Sequence, residues 1–358
     1  MNEEKAGLAP LGWRQDWQVY LDQNNTTRWQ PARVIVRQKN HYRIATGTGE
    51  LPAHISGKLE YEAAKSSDFP AVGDWVLVEL DQHQERAVIH AVLPRRTAFS
   101  RRAPGDGEAE QVIAANIDTV FLVTALNQDF NLRRLERYLT LTWESGALPV
   151  IVLSKADLCS EVETKVAKVT SIAFGVPVHP VSSLSGAGIV ELERYISPGT
   201  TIALLGSSGV GKSSLINRLL GQDRQKIREI RDDDGKGRHT TTYRELIVLP
   251  GGGMIMDTPG LRELQLWATE AGLEEVFDDI RILAAGCQFR DCRHENEPNC
   301  AVRQALAAGT LDAGRYASYC KLQKELAYQS RRENISEALA EKERWKQIMK
   351  QFKHSIKS

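Results

Sequence analysis

The run Gly206-Ser207-Ser208-Gly209-Val210-Gly211-Lys212-Ser213 fits the pattern G-x-x-x-x-G-K-[ST]. The pattern carries weight only between a strand and a helix, and both are legible here. Thr201-Ile202-Ala203-Leu204-Leu205 is short and apolar and ends at Gly206, which predicts a buried strand. Ser213 to Leu220 predicts a helix, with Gly221 as its stop. In such a loop the glycines let backbone N–H groups approach an anion with no Cβ in the way. The helix start adds unpaired donors and a favourable dipole. The cradle is Gly206 to Ser213, with Ser214 counted at the helix start. Lys212 would reach the β- and γ-phosphates of a nucleotide, and the Ser213 hydroxyl would ligate Mg²⁺.

The order of the neighbouring motifs narrows the reading. Val150-Ile151-Val152-Leu153 predicts a second buried strand, and Ser154-Lys155-Ala156-Asp157 follows it. The usual guanine motif is N-K-x-D, so Ser154 stands for Asn. Asp157 can accept two hydrogen bonds from guanine N1 and N2, a pair adenine cannot supply. The plainer alternative for Ser154 to Asp157 is a helix N-terminus with a charged first turn. Val181-Ser182-Ser183-Leu184-Ser185-Gly186 sits where a base-supporting loop belongs. Gly252 to Gly260 reads as a strand ending in D-x-x-G, about forty-five residues beyond the P-loop lysine. There Asp257 would hold Mg²⁺, partly through water, and the Gly260 N–H would face the γ-phosphate. Between the two lies Gly237-Arg238-His239-Thr240-Thr241-Thr242, where one threonine, taken as Thr241, completes the Mg²⁺ shell. The polar run Asp232 to Gly237 before it predicts a mobile switch loop. An ordinary small GTPase begins with its P-loop and reads the base late. Here the base motif comes first, so the pattern implies a circularly permuted GTPase domain.

A second chemistry is written in the cysteines. Cys287-x4-Cys292-x-His294-x5-Cys300 places three thiols and an imidazole within fourteen residues. A Cys₃His set is a closed structural zinc pattern with no position left for water, so one structural Zn²⁺ is expected and catalysis by it is not. Cys159 and Cys320 lack partners at ligand spacing and read as small buried hydrophobes. No run approaches the roughly twenty apolar residues a bilayer needs. The start Met1-Asn2-Glu3-Glu4-Lys5 lacks a signal-peptide pattern, so a cytoplasmic location and no membrane partner are expected. The net charge is zero, so any RNA contact must come from local patches.

Along the 358 residues the reading is multidomain. A leader, 1–30, carries Trp13, Trp17 and Tyr20 on a short helix. In 31–102, strand-like runs at 32–37, 42–46, 50–55, 75–80 and 87–92 suit a small β-barrel, of OB or SH3 type. Arg33, Arg37, Lys39 and Arg43 on it are candidates to face RNA. The stretch 95–112, with Arg95, Arg96, Arg101, Arg102, Gly105 and Gly107, reads as a basic mobile linker. The α/β GTPase domain occupies 103–265 and the helical zinc-binding domain 266–320. The tail 321–358 reads as a charged helix with ten Lys/Arg against five Glu, a net of +5. It is either a solvated helix or an RNA-binding extension.

On these residues the chain resembles the ribosome small subunit-dependent GTPase A family (RsgA). The features that carry the resemblance are the permuted order, Gly237-Arg238-His239-Thr240-Thr241, Asp257-Thr258-Pro259-Gly260, the cysteine–histidine spacing and the β-rich N-terminal region. The resemblance tips the barrel to the OB type. It implies a cytoplasmic bacterial GTPase, expected as a monomer, that binds GTP and GDP and engages the small ribosomal subunit and its rRNA late in maturation. Ser154 departs from the pattern, and nothing is carried over to the leader or the tail.

Two readings of function remain open. One is a GTP hydrolase accelerated by a ribosomal particle, and this is the one preferred. The other is a GTP-gated RNA or ribosome binder whose hydrolysis is incidental. Ras-type enzymes place a Gln after D-x-x-G to orient the attacking water. Here Leu261 stands there and cannot hydrogen-bond water. His239 is the candidate substitute, a neutral imidazole acting as acceptor, against the alternative of a surface histidine.

Overall fold

The structure, a computed structural model, describes residues 7–23, 29–38, 41–63, 65–81, 85–102, 110–221, 244–249, 252–257, 270–328 and 330–331. These fall into two compact units. The first is Met1–Arg101 with Glu110–Leu266, and the second is Arg102–Ala109 with Trp267–Ser358.

The first unit starts with helix α1 (Gln15–Gln23). Its Trp17 is buried and packs 5.7 Å from the Trp75 ring, while Trp13, just before the helix, meets Trp75 edge-on at 4.8 Å. The leader is therefore anchored by three indoles rather than appended. Strands β1 (Gln30–Gln38), β2 (His41–Ala45) and β3 (Glu50–Ile55) follow, then helix α2 (Gly57–Glu62), β4 (Trp75–Leu80) and β5 (Ala87–Val92). Every strand expected for the barrel is present. They pair in the order β1-β2-β3-β5-β4, and β4 returns to β1, closing the barrel with the strand order of an OB fold. Period-two patterning sets the interior. Ala32 and Val34, Tyr42 and Ile44, Val76 and Val78, and Ala87 and Ile89 all point into one apolar cluster.

The stretch expected to be a mobile linker is strand on either side of residues 103–109, which lie outside the described residues. β6 (Ala98–Arg102) pairs with β7 (Glu110–Ala115) in a two-stranded sheet, and Arg95 donates to the buried Asp74 carboxylate at 2.7 Å. Arginines that read as a basic linker are instead strand residues and an anchor.

The α/β layer is built from β8 (Thr119–Ala125), α3 (Leu132–Glu144), β9 (Leu148–Ser154), α4 (Val162–Thr170), β10 (Val178–Pro180), α5 (Ile189–Glu193), β11 (Thr201–Leu205), α6 (Lys212–Leu220), β12 (Arg244–Val248) and β13 (Met254–Asp257). Strands run in the order β10-β9-β8-β11-β13-β12. The first five are parallel, and β12 is antiparallel to β13. All seven residues of β8 are buried, as befits a strand covered on both faces.

The barrel and this layer share one sheet of eleven strands. β1 makes the join. Gln30 to Arg33 pair with β4, the register shifts between Val34 and Val36, and Val36 and Arg37 then pair with Glu245 and Arg244 of β12. Gly73 lies at the same junction with φ +92°, and a Cβ there would sit 2.0 Å from the Ala115 carbonyl oxygen. Only glycine permits that approach.

Arg33 does not face solvent and cannot face RNA. It is 1% exposed, and its guanidinium donates to the carbonyls of Leu11, Gly73 and Asn116 and to Thr201 Oγ1 at 2.8 Å. Burial lowers its pKa to about 10, so it stays charged at neutral pH. Arg37 donates to the Pro70 carbonyl at 2.8 Å, Arg43 is half-exposed beside Glu50, and Lys39 lies outside the described residues.

The second unit is helical, with α7 (Glu270–Val276), α8 (Asp278–Ala285), α9 (Ala301–Ala307) and a helix over 313–328. Arg315 binds both carboxylate oxygens of Asp279 at 2.8 Å and the Val276 carbonyl at 2.7 Å, above the Phe277 ring. Cys159 and Cys320, expected to be buried, are each only half-buried. Of the charged tail, 321–328 and 330–331 are helical, and the rest lies outside the described residues.

Candidate nucleotide site and metal cluster

The loop Gly206 to Gly211 leaves β11 and enters α6, the strand-to-helix setting the motif requires. Gly206 lies so close to β8 that a Cβ would be 2.2 Å from the Val123 carbonyl oxygen. Gly209 and Gly211 have φ of +77° and +98°, which turn the loop onto the helix start. The first turn of α6 carries no acidic side chain, so its donors and dipole are not offset. Ser208, Ser213 and Ser214 are exposed there. Lys212 is nearly buried beneath the loop, with Nζ donating to the Gly206 and Ser207 carbonyls at 2.6 and 2.5 Å.

The base motif closes on the same loop. Ser154, the last residue of β9, donates its hydroxyl to the Val210 carbonyl at 2.5 Å. Lys155 adopts φ +58° and donates to the Gly209 carbonyl at 2.8 Å. Ala156 and Asp157 form the short turn that follows, and the Asp157 carboxylate is exposed. The Ala156 N–H donates to the Val181 carbonyl at 3.0 Å, which draws the Val181 to Gly186 loop alongside. Three segments distant in sequence thus meet at the C-terminal ends of β9, β10 and β11, where parallel sheets bind ligands. Asp257 ends β13, the neighbour of β11 on its other side. Gly260, Leu261, His239 and Thr241 lie outside the described residues.

Asp129 was not legible as part of this site. It follows β8, which pairs with β11, and its carboxylate accepts the Ser207 hydroxyl at 2.7 Å. Arg134 donates to the other oxygen at 2.8 Å. The hydrogen bonds from Ser207 and Arg134 hold Asp129 below the usual carboxylate range. The available signal was positional: a polar Asn127-Gln128-Asp129 run ends the strand next to the P-loop strand.

In the second unit the ligand atoms of Cys287, Cys292, His294 and Cys300 all lie within 4.8 Å of one another, so the set can hold one metal ion. Cys287 Sγ is 3.6 Å from His294 Nδ1 and 3.8 Å from Cys300 Sγ. His294 and Asn299 take φ of +61° and +54°, which folds the loop back on itself. Cys300 caps α9. Desolvation opposes ionisation of Cys287, but hydrogen bonds from the Val302 and Ala301 N–H groups, with those from Cys300 and Cys292, together outweigh it and lower the thiol's pKa. Glu297 ties the loop internally. It accepts the N–H groups of Arg293, Glu295 and Asn296 at 2.9 to 3.0 Å, and these bonds hold its pKa at about 2.

A phosphate cradle, a base motif that precedes it in the chain, an N-terminal OB-type barrel and a four-ligand cysteine–histidine centre define a circularly permuted P-loop GTPase. The family described as RsgA GTPase matches residues 92–267. The chain is 49% identical over 350 residues, 95% of each protein, to the small ribosomal subunit biogenesis GTPase RsgA of Opitutus terrae. It is 50% identical over 297 residues, 83% of each, to RsgA 2 of Lactiplantibacillus plantarum. Among solved structures it is similar to YjeQ from Thermotoga maritima, with a TM-score of 0.62 and 28% identity over 84% of this chain and 99% of that one. The chain belongs to the RsgA GTPase family.

Proposed function

We propose that this chain hydrolyses GTP to GDP and phosphate under stimulation by the small ribosomal subunit, acting late in that subunit's maturation. The observation that carries the reading is the joining of base motif to phosphate cradle through Ser154–Val210 and Lys155–Gly209, in a chain this similar to proteins named for small-subunit biogenesis. Gly206 to Ser214 receive the phosphates, Lys212 sets its charge against the β- and γ-oxygens, and Asp157 reads the base. Ser213, Thr241 and Asp257 hold Mg²⁺, which when bound offsets charge developing on the phosphoryl oxygens. His239 orients the attacking water in place of the side chain missing at Leu261. The protein works as a cytoplasmic monomer. No described helix is long and apolar enough to cross a membrane.

The metal of the second unit is one structural Zn²⁺. Tetrahedral zinc with bonds of about 2.3 Å to sulfur and about 2.05 Å to nitrogen separates ligands by about 3.8 Å (S to S) and about 3.6 Å (S to N). The Cys287–Cys300 and Cys287–His294 distances of 3.8 and 3.6 Å lie near those edges, and His294–Cys300, at 3.3 Å, is shorter.

The test is phosphate release with and without purified small subunits. Addition of subunits should raise turnover at least about tenfold, equivalent to about 1.4 kcal/mol off the barrier. His239→Ala should lose most of that gain at unchanged GTP affinity, because the effect lies in the transition state. The second reading, a GTP-gated ribosome binder, is favoured by Leu261. It holds if subunits bind the GTP form but leave turnover unchanged.

A further inference from the structure

Ser154 stands where the guanine motif has Asn, and its surroundings show what that exchange removes. The residue is 3% exposed. The polar atoms beside its Oγ are two carbonyl oxygens, of Val210 at 2.5 Å and Thr124 at 3.3 Å. Carbonyls only accept, so the one hydroxyl hydrogen is spent on backbone whichever way it turns. Only lone pairs remain on Oγ. Guanine N7 and O6 also offer only lone pairs. An asparagine carries two amide hydrogens, one for the Val210 carbonyl and a second for a purine acceptor.

We propose that this GTPase reads guanine without using N7. Ser154 is a tether between the base motif and the P-loop, and selection rests on the N1 and N2 donor edge facing Asp157. The substrate class is therefore any nucleoside triphosphate whose base presents that donor edge, 7-deaza-GTP included. The proposal rests on the guanine reading above, and the test separates the two.

GTP, 7-deaza-GTP, ITP and ATP are competed against a fluorescent GDP analogue on the full-length protein. Wild type should bind 7-deaza-GTP within about twofold of GTP, with ITP and ATP weaker. Ser154→Asn should gain a five- to tenfold preference for GTP over 7-deaza-GTP, about the worth of one hydrogen bond. Ser154→Ala should weaken GTP and 7-deaza-GTP by the same factor, since it cuts the tether alone. Wild-type discrimination of tenfold or more against 7-deaza-GTP would overturn the proposal while leaving guanine recognition intact. A folded Ser154→Asn variant with no new preference also counts against it. If ATP competes as well as GTP, guanine recognition itself falls and takes the proposal with it. Should the Asn variant fail to fold, the wild-type comparison decides alone.

Discussion

Single side chains in this molecule take their meaning from partners far away in sequence, and Asp129 is the sharpest case. It fixes Ser207 of the P-loop and is fixed in turn by Arg134. Asp129→Asn keeps an acceptor for Ser207 but loses the charge facing Arg134. Because the folded-state pKa is depressed, the charge contributes stability above the unfolded value of about 4, and that contribution is lost as pH falls through the folded value. Thermal midpoints of wild type and Asp129→Asn should therefore differ at pH 6–8 and converge below about pH 4. A gap that persists into acid would show that shape, not charge, explains the variant. The P-loop pattern and the cysteine–histidine cluster were legible in the sequence because each sits at local spacing. Asp129 and Arg33 were not. An aspartate after a strand, or an arginine on a barrel, is usually a surface residue. Asp129 stays partly exposed, but the pairing of β8 with β11 sets it against Ser207, and the closure of the barrel against the α/β layer buries Arg33; neither leaves a local mark.

Elements divide along the same line. The barrel strands and β11 were readable from alternation or from short apolar runs, and α6 from its glycine stop. β6 and β7 were missed because the arginines of β6 and the glycines between the two strands outweighed a weak strand signal. The metal loop combines both situations. The spacing of its three cysteines and histidine was evident, whereas nothing local marks Glu297, which accepts three backbone N–H groups inside the loop. On the proposed reading of the cluster as a structural zinc site, elemental analysis should find about one zinc per chain, and Cys292→Ser should lose it. Limited proteolysis should then cut within 287–300, where the wild type resists. A metal-free preparation that keeps this resistance would refute a structural ion.

For the first unit taken whole, the decisive feature is that β1 belongs to two structures at once. Arg33 locks that arrangement by joining carbonyls of the leader, the barrel junction and the α/β layer with the Thr201 hydroxyl of the P-loop strand. Arg33→Met should cost about 3 kcal/mol in urea denaturation, because buried carbonyls lose their donor. The loss should appear as one cooperative transition for barrel and GTPase layer together; two separated transitions would mean that the barrel melts on its own. None of this was visible in the sequence, since the β1–β12 contact is only two residue pairs long. It has a consequence for how such genes can be cut and recombined. A shortened gene without its first ninety or so codons would not yield a lean GTPase. It would leave β12 as a bare strand edge, open to pairing with other copies, and the product should aggregate rather than simply lose a module.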